Sequence, residues 1–152
     1  MKAESSVRSM TAESLKCMFS SMRLDYATPQ EIFEELDKEF HFTLDPCATK
    51  DNAKCRVFFD GVNEDGLRDK WFGNVFMNPP YGRELIKWMR KAWNEYFKGH
   101  CKVVVCLIPS RTDTKWWHNY AMRATEIRFI RGRVRFYNNK PAPFPSAIII
   151  FR

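Results

Sequence analysis

Asn78-Pro79-Pro80-Tyr81 is the stretch of this chain whose residue types could do chemistry. It lines up a side-chain amide, two prolines that keep their carbonyls but carry no N–H, and an aromatic ring. Val75-Phe76-Met77 runs into it with strand character, and a helical pattern starts at Glu84. The fixed φ of the prolines makes the connection a rigid, extended loop. Such a loop holds the amide and the ring at the carboxyl end of a strand, where open α/β sheets bind ligands. The set suits a planar molecule with hydrogen-bond donors on its edge. The plain alternative is a proline turn that ends a strand and does nothing more.

The elements that must position this loop can be read on both sides of it. Thr28, Pro29 and Glu31 form a helix-start signal: a threonine N-cap, proline at the first helical position and a capping-box glutamate. Ile32, Phe33, Leu36 and Phe40 recur on one face, which predicts an amphipathic helix over Pro29–Phe40. On these residues alone Thr28 is a helix cap. Phe42-Thr43-Leu44 reads as a short buried strand ending in Asp45-Pro46-Cys47-Ala48, and Arg56–Phe59 as a second short strand ending in Asp60. An acid before proline also starts ordinary turns. There is no glycine-rich loop after the first strand, and only 32 residues separate Asp45 from Asn78, so this part of the sheet must be abbreviated.

Beyond the motif, Leu85, Trp88, Met89, Ala92, Trp93 and Tyr96 keep helical spacing over Glu84–Lys98, with Gly99 as the stop. These aromatic residues read as helix core rather than as a stacking platform. Lys102–Pro109 is a continuous apolar run, the mark of a central parallel strand covered on both faces. A polar turn, Ser110–Thr114, leads into a short helix over Lys115–Tyr120. Glu126–Phe136 alternates around Gly132 and predicts a strand bent at the glycine. Asn138–Pro145 reads as a proline-rich turn and Ala147–Phe151 as a last strand, antiparallel to the one before. Residues 1–20 show no periodicity and predict a poorly ordered tail with at most a helical turn at Ala12–Met18. The domain proper is expected over residues 21–152.

A chain of 152 residues with 45% hydrophobic content suits one domain with one core. No apolar run approaches the roughly 20 residues needed to span a bilayer, and no signal-peptide pattern stands at the start. The five cysteines form no CxxC pair and the three histidines are scattered, which predicts neither a disulfide framework nor a metal site. These features predict a cytoplasmic protein with reduced thiols. The net charge of +7 is unevenly placed: acidic residues dominate 25–69, while lysine and arginine dominate 70–152. A basic half around a reactive loop is the footprint of a nucleic-acid binder, and arginine suits phosphate.

Three motifs stand in order: Tyr26-x-Thr28-Pro29, Asp45-Pro46-Cys47-Ala48 and Asn78-Pro79-Pro80-Tyr81. In this order the chain resembles amino-methylating DNA methyltransferases, and more narrowly the phage and prophage DNA N6-adenine methyltransferase family. The likeness extends to Trp71, Pro109-x-Arg111-Thr112-Asp113-Thr114-x-Trp116, Gly132-Arg133 and Pro143-Phe144-Pro145-Ser146-Ala147. The chain departs from the family in having Tyr26 where tryptophan is more usual. It also lacks a separate target-recognition domain, as small members of the family do.

The resemblance implies a single abbreviated Rossmann-like methyltransferase domain, α/β, with a mostly parallel sheet and an antiparallel C-terminal hairpin. It implies S-adenosylmethionine as cofactor and double-stranded DNA as partner, in a bacterial host's cytoplasm, with no metal and no membrane. It assigns catalysis to Asn78, Pro79, Pro80 and Tyr81. Cofactor binding falls to Tyr26, Thr28, Pro29, Asp45, Pro46 and Ala48, with Thr28 and its helix start holding the methionine part and Asp45 its amino group or a ribose hydroxyl. Asp60 or Asp65 is a further cofactor candidate, and either is equally a surface acid. Arg111, Lys115, Arg131, Arg133 and Arg135 are the expected DNA contacts. Arg111 could instead brace the catalytic loop, and the three alternating arginines could simply protect an edge strand. The sequence leaves open a same-fold enzyme acting on RNA or a protein glutamine amide, an inactive DNA-binding module, and the choice of monomer or homodimer.

Overall fold

The centre of the sheet forms where the chain is most apolar. In the computed structural model, which describes residues 26–136 and 139–152, the run from Cys101 to Pro109 is β4, and only Lys102 in it reaches solvent. The expected tail over residues 1–20, its helical turn at Ala12–Met18 and Asn138 of the proline turn lie outside the described residues.

Beside β4 lie β3 (Gly73–Met77), then β1 (Leu44–Asp45), then β2 (Val57–Phe58), all parallel. On its other side β6 (Ser146–Phe151) runs antiparallel to both β4 and the edge strand β5 (Glu126–Phe129). The strand order is β2-β1-β3-β4-β6-β5. The fold is a mostly parallel α/β sheet with an antiparallel C-terminal hairpin. β1 and β2 have two residues each and no helix between them, so the sheet is abbreviated on the side expected.

Both faces are covered. Helix α1 (Gln30–Phe40) buries Phe33, Leu36 and Phe40 against Phe76, Val105 and Leu107. Helix α2 (Leu85–Phe97) buries Leu85, Trp88, Met89 and Ala92 on the opposite face, together with Trp116 and Trp117 of α3 (Lys115–Asn119). Trp88 is therefore core, with Trp93 and Tyr96 packed against it, while Phe97 at the helix end is exposed. Gly99 ends α2 with two main-chain bonds, Gly99 N–H to Tyr96 O at 2.9 Å and His100 N–H to Glu95 O at 3.0 Å.

Two expectations are corrected. Helix α1 starts at Gln30 with Pro29 as its N-cap residue, and no side chain caps it. Thr28 is thus not the helix cap, because its hydroxyl is engaged elsewhere. The strand expected to reach Phe136 stops at Phe129. Gly132 has φ +76°, which turns the backbone out of the ladder, and Pro141, Pro143 and Pro145 cannot donate to one. Among the described residues a single bridge, Arg135 to Pro141, remains. The alternation survives in this irregular segment: Val134 and Phe136 are buried, while Arg131, Arg133 and Arg135 are exposed.

The segment from Asp60 to Trp71 packs down onto α2. Trp71 is fully buried; its indole N–H donates to Gly66 O at 2.7 Å, and its main-chain N–H donates to the Glu95 carboxylate at 3.0 Å. A Cβ on Gly66 would lie 2.0 Å from the Pro46 carbonyl and 2.8 Å from the Trp88 ring. Only glycine lets this segment support the Asp45-Pro46 turn so closely.

Candidate active site

Strand β3 is buried through Val75, Phe76 and Met77 and delivers Asn78 at its carboxyl end. The Asn78 side-chain nitrogen donates to the Tyr26 carbonyl at 2.7 Å and to Thr28 Oγ1 at 3.0 Å. A main-chain carbonyl can only accept, so the amide's orientation is set by its neighbours. Its oxygen then faces Tyr81, whose phenol donates to Asn78 Oδ1 at 2.7 Å and reaches the Leu107 carbonyl at 3.3 Å. Burial, helped by the nearby Tyr26, pushes the Tyr81 phenol well above the usual tyrosine range. Tyr81 is therefore a neutral donor and not a base.

The Tyr81 ring belongs to an aromatic cluster. Its centroid lies 5.4 Å from Tyr26, 5.4 Å from Phe144 and 6.2 Å from Phe136. Phe136 and Phe144 come from the segment between β5 and β6, so the far end of the chain closes over the loop. The Arg111 guanidinium sits 5.8 Å from the centre of the Phe144 ring. Arg111 is otherwise exposed.

Asp45 ends β1 and is 4% exposed. Its carboxylate accepts from the Cys47 N–H at 3.2 Å and the Lys54 N–H at 3.4 Å, which folds the 46–54 segment around it. Between this turn and the Asn78 loop opens a cleft. Tyr26, Thr28, Asp45, Asn78, Pro79, Pro80 and Tyr81 all line it.

The remaining expected residues are distributed differently. Pro29, Pro46 and Ala48 are not among the cleft's lining residues. Asp60 caps a turn through the Val62 and Asn63 N–H groups, at 2.8 and 3.0 Å. Asp65 likewise accepts from the Leu67 N–H at 2.9 Å. Neither lines the cleft. Lys115 is exposed at the start of α3, and Arg135 donates to the Asn139 carbonyl at 2.9 Å.

Four lining residues escaped the sequence reading: Ala27, Cys47, Asn52 and Lys54. Ala27 and Cys47 lie inside the quoted motifs, but Asn52 and Lys54 occupy a polar loop with no periodic or motif signal. Asn52 Oδ1 accepts from the Thr49 N–H at 2.7 Å and shapes that loop. Burial holds the Lys54 ammonium below the usual lysine range, although Asp45 and Glu34 pull the other way.

A strand end that fixes an oriented amide, beside a buried acid in an open cleft, is the arrangement the three motifs implied. A family model described as DNA N-6-adenine-methyltransferase (Dam) matches residues 18–145. The chain belongs to this family. A DNA N-6-adenine-methyltransferase of Haemophilus phage HP1 (strain HP1c1) is 33% identical over 119 residues, covering 76% of this chain and 67% of the relative. The family match takes in every residue lining the cleft, as well as Arg111, Phe136 and Phe144. It stops just short of β6, the strand that completes the sheet.

Proposed function

We propose that this protein transfers a methyl group from S-adenosylmethionine to the N6 amine of adenine in double-stranded DNA. The observation that carries the reading is the oriented Asn78 amide in the cleft lining, its nitrogen tied to Tyr26 and Thr28 and its oxygen accepting from the Tyr81 phenol. Family membership supplies the reaction class, and the site supplies the groups for it.

The lone pair of an adenine N6 is delocalised into the ring, so the amine is a poor nucleophile. Asn78 Oδ1 has two lone pairs, one of which takes the Tyr81 phenol, leaving the other for an N6 hydrogen. The Pro79 carbonyl is the second acceptor, with no N–H of its own to compete. Together they localise the lone pair on nitrogen. Because both are fixed beforehand, they stabilise the growing positive charge without reorganising.

The Tyr81 ring and its aromatic neighbours offer a flat apolar lining for the base, worth about 1–3 kcal/mol per stacked base. To reach it the adenine must leave the duplex. Arg111, Lys115, Arg131, Arg133 and Arg135 are exposed on the basic half and suit the phosphates that flank an extruded base.

The cleft fits the cofactor by its chemistry. It offers a buried carboxylate, Asp45, for an ammonium or a ribose hydroxyl, and it opens at the start of α1, whose first-turn amides favour a carboxylate. Thr28 accepts from Asn78 yet still has its own hydroxyl hydrogen to donate. When bound, S-adenosylmethionine supplies a methyl carbon already made electrophilic by its sulfonium. The protein's part is to hold N6 in line with that carbon at about 3–3.5 Å.

The test is direct. The protein is incubated with methyl-labelled cofactor and unmethylated DNA, and the DNA is digested to nucleosides. Label is expected in N6-methyl-2′-deoxyadenosine. Label appearing in RNA or protein glutamine instead, or no label with no cofactor binding, would overturn the proposal.

A further inference from the structure

Lys54 is the cleft-lining residue with the least obvious reason to be there. It is half-buried, although a lysine loses hydration free energy when its ammonium is drawn from water. It is also held from two directions. Its main-chain N–H donates to the Asp45 carboxylate at 3.4 Å. Its ammonium donates to Gln30 Oε1 at 2.8 Å, and the Gln30 side-chain nitrogen donates in turn to Glu34 at 3.0 Å. That second bond sets the Gln30 amide so that its oxygen faces Lys54. Gln30 is the first residue of α1, so the ammonium is moored at the helix end that already favours negative charge.

Among the described residues, the cleft's lining contains one carboxylate and one ammonium, Asp45 and Lys54. The two residues flank the 46–53 loop, and the Asp45 carboxylate is tied to the Lys54 main chain. An α-amino acid end carries one group of each opposite sign. We propose that Lys54 takes the α-carboxylate of the methyl donor, opposite Asp45 on its ammonium, and so selects cofactors that keep an intact amino-acid end. This assignment rests on the proposed use of S-adenosylmethionine. It settles between the two roles open for Asp45 in favour of the amino group. Gln30 is then a positioning residue, holding the ammonium in place until the carboxylate arrives.

The test compares two ligands by calorimetry, so that methyl transfer is not the readout. S-adenosylhomocysteine has the amino-acid end, whereas 5′-methylthioadenosine shares the nucleoside and lacks it. Lys54→Met should weaken S-adenosylhomocysteine at least tenfold and change methylthioadenosine less than twofold, and Lys54→Arg should recover most of the loss. Equal losses for both ligands, or no loss for either, would mean that Lys54 only ties its loop to α1, and would overturn the assignment. The wild-type protein gives a second measurement that no folding defect can blur. Decarboxylated S-adenosylhomocysteine should bind at least tenfold more weakly than the parent compound, and equal affinity overturns the role of Lys54 while leaving the cofactor reading intact. Wild-type protein that binds none of the three compounds overturns both.

Discussion

The Thr28 hydroxyl accepts a hydrogen bond from the Asn78 side-chain amide at 3.0 Å, across 50 residues of chain. A residue that reads locally as a helix cap is instead one of two acceptors that orient the amide of the Asn-Pro-Pro-Tyr loop. The N-terminal Thr-Pro segment and the Asn-Pro-Pro-Tyr loop are therefore one structural unit.

Replacing Thr28 separates the two roles. Thr28→Val keeps the shape and removes the acceptor, leaving Asn78 held by the Tyr26 carbonyl alone. One hydrogen bond of this kind is worth about 1 kcal/mol, so methyl transfer should fall about fivefold with a comparably small loss of stability. Thr28→Ser should be close to wild type. A helix cap would show the stability loss with unchanged kcat, and paired activity and urea-unfolding measurements distinguish the outcomes.

Asn78→Ala removes the side-chain acceptor for the amine altogether. Transfer should fall below detection, while S-adenosylhomocysteine binding by calorimetry stays within severalfold of wild type. A variant that methylates normally would refute the role given to Asn78.

Tyr81→Phe keeps the ring and removes the phenol that faces Asn78 Oδ1. The expected result is a drop of about five- to tenfold in kcat/KM, the scale of one partly buried hydrogen bond. Tyr81→Ala also loses the ring and should fall at least tenfold further, since stacking is worth about 1–3 kcal/mol. Because the phenol is held well above the usual tyrosine range, ionisation of Tyr81 should leave no break in the pH–rate profile between neutral pH and pH 9.

Glu95 is a structural acid with a pH signature. It is 4% exposed, accepts from the Trp71 N–H, and pairs with Lys91 at 2.6 Å and His100 at 2.7 Å. Burial opposes its ionisation, but Lys91, His100 and the Trp71 N–H outweigh burial and hold the carboxyl below the usual glutamate value of 4.5. A lowered carboxylate pKa stabilises the fold above the unfolded value and loses that contribution as pH falls through the folded one. Glu95 should therefore add to acid lability below about pH 4.5, and Glu95→Gln should flatten that part of the urea-midpoint profile. Glu95→Ala strands Lys91 and the Trp71 N–H and should cost about 3 kcal/mol at neutral pH.

Arg131→Ala and Arg133→Ala should weaken DNA binding without changing cofactor affinity. Each phosphate contact removed should lower the slope of log K against log salt by about one. An unchanged slope in fluorescence-anisotropy titrations would place these arginines outside the DNA footprint.

Local pattern determined most of the elements. The apolar run at Lys102–Pro109, the helical spacing from Leu85 to Tyr96 and the proline-locked Asn78 loop are properties of neighbouring residues, and each appears where its pattern puts it. The three motifs also identified seven of the residues that line the cleft. What the pattern could not carry is which distant groups meet. The engagement of Thr28 by Asn78, the closure of Phe136 and Phe144 over Tyr81, the burial of Glu95 under Trp71 and the arrival of Lys54 in the cleft all depend on strand order and on how loops pack. Gly132 and the spaced prolines stopped a strand that alternation alone would have continued. Hydrophobic periodicity encodes the face an element buries, but a polar side chain's partner is chosen only when the sheet brings separate segments together. For Asn78, that step turns a loop amide into an oriented hydrogen-bond acceptor.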